Sequence, residues 1–243
     1  MDLASAPARE SIPDFEAFGI SAFTTTRDAG SYDTLSGEPV RDVMMRWYGL
    51  RGFLQESAPR FATASQVHGT RVVEHDGVWE GWLRVSEADG HFAPRSGTAM
   101  AVTIADCVPV FLAHPAGAIA LLHSGWRGTA ARIIDRALAA FSRQGFAAHD
   151  LRMHLGPAIC GACYEVSADM ATALTGIAAS GPRRVDLREL IATHAREGGV
   201  THITTSHWCT RCDNARFFSH RAGDAGRQLA VMVAREPARV DSP

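Results

Sequence analysis

Two apolar stretches, 99–113 and 118–123, are rich in Val, Ile and Leu and are separated only by His114-Pro115-Ala116-Gly117, which constrains the fold more than any other feature of the chain. Four residues of turn chemistry permit antiparallel pairing alone, because a parallel crossover needs a dozen or more residues. A β-hairpin is therefore expected here. If all four residues form the loop, Cys107 stands opposite Ser124; a loop of three or five residues sets Cys107 opposite His123. Either register brings thiol and imidazole into one neighbourhood. Only the second puts them on one face, where opposed Cβ atoms lie about 4.5 to 5.5 Å apart, within reach of a shared metal ion or proton.

The 243 residues suffice to bury a sizeable core without disulfides. Composition is that of an ordinary globular chain, 46% hydrophobic and 21% charged. A net charge of −2 gives no electrostatic reason to expect a nucleic-acid or membrane partner, and no apolar run approaches the roughly 20 residues that span a bilayer. The first dozen residues carry Asp, Arg and Glu with no apolar signal core, and the five cysteines are an odd number, which favours reduced thiols. A cytoplasmic enzyme is the expectation. Nothing identifies a protein partner.

A strand over 19–26 leads to Arg27, and a helix starts near Glu38-Pro39, with Val40, Val43, Met44 and Trp47 on one face. Arg46 lies beside that apolar edge. Strands are expected over 61–68 and 71–75, broken at Gly69, which sets His68 at a strand end. After the hairpin a helix over 130–144 takes Thr129 as N-cap, Ile133, Ile134, Ala137, Leu138 and Phe141 as its buried stripe, and Gly145 as its stop. Free N–H groups at that helix start, with Arg127 beside them, make an anion-binding corner. Further strands are expected over 151–155, 200–205 and 229–234, and helices over 168–174 and 186–196. With no repeat or linker, this predicts an α+β fold, a single domain of mixed, largely antiparallel β-sheet packed with helices over 17–243, behind a loose leader over 1–16.

Three residues stand out as a ligand set. His68, Cys107 and His123 fall at predicted strand ends or across the hairpin, and two imidazoles with one thiolate suit zinc. Three protein ligands leave a fourth tetrahedral position open, which marks a catalytic site. The plainer reading makes Cys107 a buried apolar thiol. Two CxxC pairs, Cys160 with Cys163 and Cys209 with Cys212, raise a competing structural site. They are 45 residues apart, against about 15 to 20 in zinc ribbons, so four reduced cysteines are expected instead.

The segments Gln66-Val67-His68-Gly69, Ala105-Asp106-Cys107-Val108-Pro109, His123-Ser124-Gly125-Trp126-Arg127-Gly128, Tyr164-Glu165-Val166 and Phe217-Phe218-Ser219-His220-Arg221 together resemble the laccase-domain, or polyphenol-oxidase-like, family. The resemblance runs from Phe23 to Val233. It implies a zinc-dependent purine nucleoside phosphorylase with adenosine deaminase activity, or a peptidoglycan editing factor. It further implies His68, Cys107 and His123 as zinc ligands, a nucleoside and phosphate as small-molecule partners, and pocket roles for Arg27, Arg46, Ser219 and Arg221. Two departures bear on substrate orientation: Met45 precedes Arg46 where the family commonly has Asn, and His220 stands where an aromatic is often found.

Oxidase chemistry does not follow from the family's older label. Multicopper oxidation needs several copper centres, usually supplied by His-x-His pairs, and the chain has none. Copper would still bind the same ligands in vitro, since it outranks zinc in intrinsic affinity. Zinc brings bound water from a pKa of about 15.7 to about 7. In deamination the resulting hydroxide attacks C6 of adenosine and ammonia leaves, with Asp106 or Asp89 the nearest carboxylates in sequence to shuttle the proton. In phosphorolysis phosphate attacks C1′ of the ribose, and Arg127 with Arg46 or Arg221 supplies the anion pocket. A rival chemistry needs no metal: Cys107 acts as thiolate nucleophile and His123 as its base, cleaving an amide such as that of a peptidoglycan precursor.

Overall fold

In the computed structural model, which describes residues 6–77 and 79–235, the longer apolar stretch is not one hairpin arm; it changes sheets in its middle. Strands β1 (Arg9–Ser11) and β2 (Ile20–Thr25) precede helix α1 (Val40–Gln55), and β3 (Arg60–Ala64), β4 (Val72–Glu74), β5 (Gly81–Val85) and β6 (Gly90–Ala93) follow it. The apolar region supplies β7 (Thr98–Ile104), β8 (Val108–Ala113) and β9 (Ile119–Ser124), after which come helices α2 (Trp126–Ala130) and α3 (Ile133–Arg143). The remainder is β10 (Arg152–Leu155), β11 (Glu165–Val166), α4 (Ala168–Thr175), β12 (Arg183–Arg184), α5 (Leu187–Glu197), β13 (His202–Thr205) and β14 (Gln228–Ala234).

Two six-stranded sheets result, ordered β1-β2-β14-β7-β3-β5 and β13-β10-β8-β9-β6-β4. Antiparallel pairing holds from β1 to β7 in the first and from β10 to β6 in the second, with parallel strands added at the edges. The mixed, largely antiparallel α+β architecture is therefore the one the sequence predicts. Its apolar strands lack alternation because both faces of each sheet are covered. Met100, Val102 and Ile104 of β7 meet Phe111, Ile119 and Leu121 between the sheets. Ala99 and Ala101 turn the other way, toward Val43, Trp47 and Leu50 of α1. Val108, Val110 and Leu112 face the outer helices, packing with Ile134, Phe141 and Ile191.

The hairpin proper is β8–β9. Its loop has five residues, because Ala118 joins the turn and His114 N–H donates to Ala118 O at 2.8 Å. The extra residue comes from the β9 side, so Val108 pairs with Ser124, and Cys107 falls beside Gly125 rather than opposite Ser124 or His123. His123 still shares a face with Cys107, on the diagonal.

The expected helix over 130–144 forms as α3, starting after Arg132, which sits in the left-handed region at φ 56° and divides it from the short helix α2 before it. Thr129 is no cap; it lies within α2 with its hydroxyl 2.9 Å from that of Ser124. Val40 is exposed, and the buried stripe of α1 is Val43, Trp47, Leu50 and Leu54. The stretch expected as a leader contributes a strand and a short 3-10 turn, Pro13–Phe18. β1 pairs with β2, and Ile12 and Phe15 are buried in the core cluster between the sheets. Residues 1–5 lie outside the described residues.

Candidate metal centre

Three chain segments deliver the donors. The strand expected over 61–68 ends at Ala64, and His68 lies beyond it in a loop with φ 60°. That loop is held to β7 by Gln66, whose side-chain amide donates to Thr103 O at 2.8 Å and accepts from Thr103 N–H at 2.7 Å, in the manner of a further strand residue. Cys107 stands where the chain passes from β7 to β8, and His123 is in β9. A ligand atom from each lies within 4.8 Å of the others. Gly125 permits this closeness: a Cβ there would stand 2.9 Å from Cys107 Sγ and 3.1 Å from His68 Cδ2.

Asp89, fully buried, organises two of the three. Its carboxylate accepts from His123 Nδ1 at 2.8 Å and from the backbone N–H groups of Val67, His68 and Gly69 at 3.2, 2.9 and 2.7 Å. Burial alone would raise this carboxyl, but the His123 and backbone hydrogen bonds prevail and hold it below the ordinary carboxylate range. With Nδ1 committed to Asp89, His123 offers Nε2, the arrangement in which a carboxylate orients a ligating imidazole. Burial also works against a Cys107 thiolate, yet the charge and hydrogen bonds of His123 and His68 outweigh it and hold the thiol low, at about 6. Thiolate is the metal-binding form. Two imidazoles and a thiolate so placed fit a borderline-soft ion such as zinc, with one coordination position left for water or substrate.

A cavity of about 560 Å³ opens on this triad. Gln66, Trp126, Arg127, Tyr164, His220 and Arg221 border it, and Tyr32, Trp47, Thr63 and Arg84 line the side toward the first sheet. Arg127 is exposed, stacks its guanidinium 4.5 Å from the Trp126 ring centroid and makes no ion pair among the described residues. Arg221 also borders the cavity, with Nη1 donating to Glu165 O at 2.9 Å. Burial lifts the Tyr164 phenol to about 12, so it keeps its proton at neutral pH.

Arg46, Arg27 and Ser219 are not brought to this cavity. Arg46 ion-pairs with Glu38 and donates to Ser31 O at 2.7 Å, lying against Gly30, because α1 carries it along the flank of the loop before the helix. Arg27 spends its donors on Asn214 O, Phe217 O and Asp224 and stacks on Phe218, pinning the 214–224 segment. Ser219 is buried and caps the short turn His220–Ala222. Asp106 borders the cavity but both carboxylate oxygens are engaged, by Thr210 Oγ1 at 2.6 Å and Arg221 N–H at 2.7 Å. Sequence reasoning counted Gly125 and Gln66 only within family-like segments, with no role in the site, and saw Asp89 only as a proton carrier. A glycine two residues after a candidate ligand histidine is the signal that was available.

The four other cysteines are free thiols, as expected, and despite their spacing in sequence their sulfurs converge within 4.8 Å. The gap between the CxxC pairs is taken up by β11, α4, β12, α5 and β13, and a parallel bridge from Ala158 to Cys209 returns the chain.

Comparison with known proteins places these features in context. The family model described as multi-copper polyphenol oxidoreductase laccase matches residues 33–235. The purine nucleoside phosphorylase YlmD of Geobacillus stearothermophilus is 32% identical over 223 residues, covering 82% of this chain and 81% of that protein. A purine nucleoside phosphorylase of Deinococcus radiodurans is 33% identical over 231 residues, 87% of each chain. The crystal structure of YlmD from Geobacillus stearothermophilus superposes with a TM-score of 0.84 at 29% identity, over 97% of this chain and 100% of that one.

Proposed function

As the chain belongs to the family described as multi-copper polyphenol oxidoreductase laccase, we propose that it is a purine nucleoside phosphorylase that holds zinc on His68, Cys107 and His123, with adenosine deamination as a second reaction of the same cavity. The observation that carries this reading is the His₂Cys cluster at the wall of a cavity that an unpaired arginine also borders. Relatives covering four fifths or more of the chain bear the phosphorylase name. Oxidase chemistry lacks support, since the described residues hold one His₂Cys group and one Cys₄ group and no cluster of histidines for several coppers.

Zinc on these donors supplies Lewis acidity, bringing a water's pKa from about 15.7 toward about 7. The chain's own residues do the remainder. Arg127, free of carboxylates among the described residues, binds inorganic phosphate, and Arg221 at the same cavity adds a second cation. A phosphate oxygen attacks C1′ of the ribose, the C1′–N9 bond breaks, and the electron pair leaves with the purine, which takes a proton. Tyr164, protonated and bordering the cavity, is the hydrogen-bond donor available to the departing base or the sugar. In deamination water adds at C6 and ammonia leaves, giving inosine.

Zinc-loaded protein incubated with adenosine should yield adenine and ribose 1-phosphate only when phosphate is present, and inosine in either case. Arg127→Ala should raise the KM for phosphate by about tenfold or more, the value of a charge-assisted hydrogen bond. No turnover by protein carrying its full zinc would sink the proposal. One observation favours a second reading: Cys107, His123 and Asp89 lie in nucleophile, base, orienter order, as in a cysteine amidase. His68 has no part in that chemistry. Amide cleavage that survives a chelator, with alkylation trapping Cys107, would select it.

A further inference from the structure

We propose that Cys160, Cys163, Cys209 and Cys212 form a second metal site, a structural Cys₄ zinc, built from two turns that the fold sets side by side. The four sulfurs all lie within 4.8 Å of one another, with Cys163 Sγ and Cys212 Sγ at 3.4 Å. A tetrahedral zinc with Zn–S bonds of about 2.3 Å requires sulfur–sulfur edges of roughly 3.8 Å, so small side-chain rotations complete it.

The backbone around the cysteines has the form that such a site needs. In the first turn Cys163 N–H and Tyr164 N–H both donate to Cys160 O at 3.0 Å. In the second, Asp213 N–H donates to Cys209 O at 2.8 Å. Cys160 N–H and Cys212 N–H point at Cys209 Sγ, at 3.3 and 3.4 Å, one donor from each turn. Donors aimed at sulfur favour the thiolate, the form that binds metal. The parallel bridge of Ala158 with Cys209 and the Arg211 bond to Cys163 O, 3.3 Å, lock the turns together. None of this depends on His68, Cys107 or His123.

Four protein sulfurs leave no open position, so this zinc is structural and takes no substrate. Thiolates accept either zinc or iron, and zinc ranks above iron(II) in intrinsic affinity. The location suggests what it stabilises. Tyr164 follows the first turn, and Thr210, inside the second, donates to Asp106 beside Cys107. The site therefore anchors the segment that carries Arg221 to the cavity's other wall.

The test uses the full chain with the triad disabled by Cys107→Ala and His68→Ala. This variant, purified under reducing conditions, should retain about one zinc per chain, and cobalt replacing it should show the intense absorption of a four-thiolate site. Adding Cys212→Ser should remove the metal and lower Tm by roughly 5 °C or more. If that variant does not fold, a chelator titrated into the triad-disabled protein decides the matter, because four thiols should become reactive as one zinc leaves. Sub-stoichiometric zinc, cobalt spectra without thiolate bands, iron in place of zinc, or a Cys163–Cys212 disulfide in that preparation would overturn the proposal.

Discussion

At the scale of single residues, the clustering of His68, Cys107 and His123 depends on one side chain that is missing and one that is buried. Gly125 has no Cβ, and Cys107 Sγ and His68 fill the space where one would be. Gly125→Ala should therefore cost at least tenfold in zinc affinity while leaving the far-ultraviolet circular dichroism unchanged; competition against a chromogenic chelator measures it. Asp89 ties the His68 loop to the His123 ring through four hydrogen bonds. Asp89→Asn keeps the shape but not the charge, and should weaken zinc binding by about 10- to 100-fold. If Asp89 instead carries protons, the same variant will keep its zinc and lose only turnover. The closeness of Cys107 and His123 was legible in the sequence, since a histidine across a short hairpin from a cysteine is a local relation. Asp89 was not, because its partners are 20 to 34 residues away and mostly backbone groups. The arginines fared worse: charge and position say nothing about whether a guanidinium, like that of Arg27, is already occupied by carbonyls.

At the scale of elements, the decisive feature is the junction of β7 and β8. Asp106 there adopts φ 79° and turns the chain from one sheet into the other while its carboxylate receives Thr210 and Arg221. This makes Asp106 a positioning residue. Asp106→Ala should lower stability by about 1 to 3 kcal/mol for the unpaired buried donors, seen as a lower urea midpoint, and Asp106→Gly should be milder because glycine accepts the positive φ. Equal midpoints for the two would remove the conformational part of this argument. The sheet change was hidden from sequence because burial on both faces erases alternation. The helices were better marked: Asp186 caps α5, accepting from Arg188 and Glu189 N–H as an N-cap should. The break at Arg132 left no such mark, since a non-glycine residue in the left-handed region has no reliable sequence sign.

At the scale of the whole molecule, two buried histidines between the sheets weigh on acid stability. His75 and His91 are buried and share one hydrogen bond, Nε2 to Nδ1 at 3.0 Å. Burial, with Arg60 adding to it, pushes His75 down to about 4, and burial with neighbouring His75 pushes His91 to about 3. Below the ordinary value of 6.5 the unfolded chain takes up protons that the native chain refuses. Stability should thus fall from pH 6.5 toward 4, approaching about 1.4 kcal/mol per pH unit for each histidine. His91→Leu should roughly halve that acid limb in urea midpoints taken across the range, and an unaltered limb would show that other groups govern it. The stacking of two sheets between helical layers has a further consequence. His68 trails a strand of the first sheet, His123 belongs to the second, and Cys107 lies on the passage from one to the other. An ion gripped by all three is a rivet through a seam. Stripping it should let the plates slip at that end, so that amide protons near Ile104 and Ser124 begin to exchange in step while those beneath α1 stay shut.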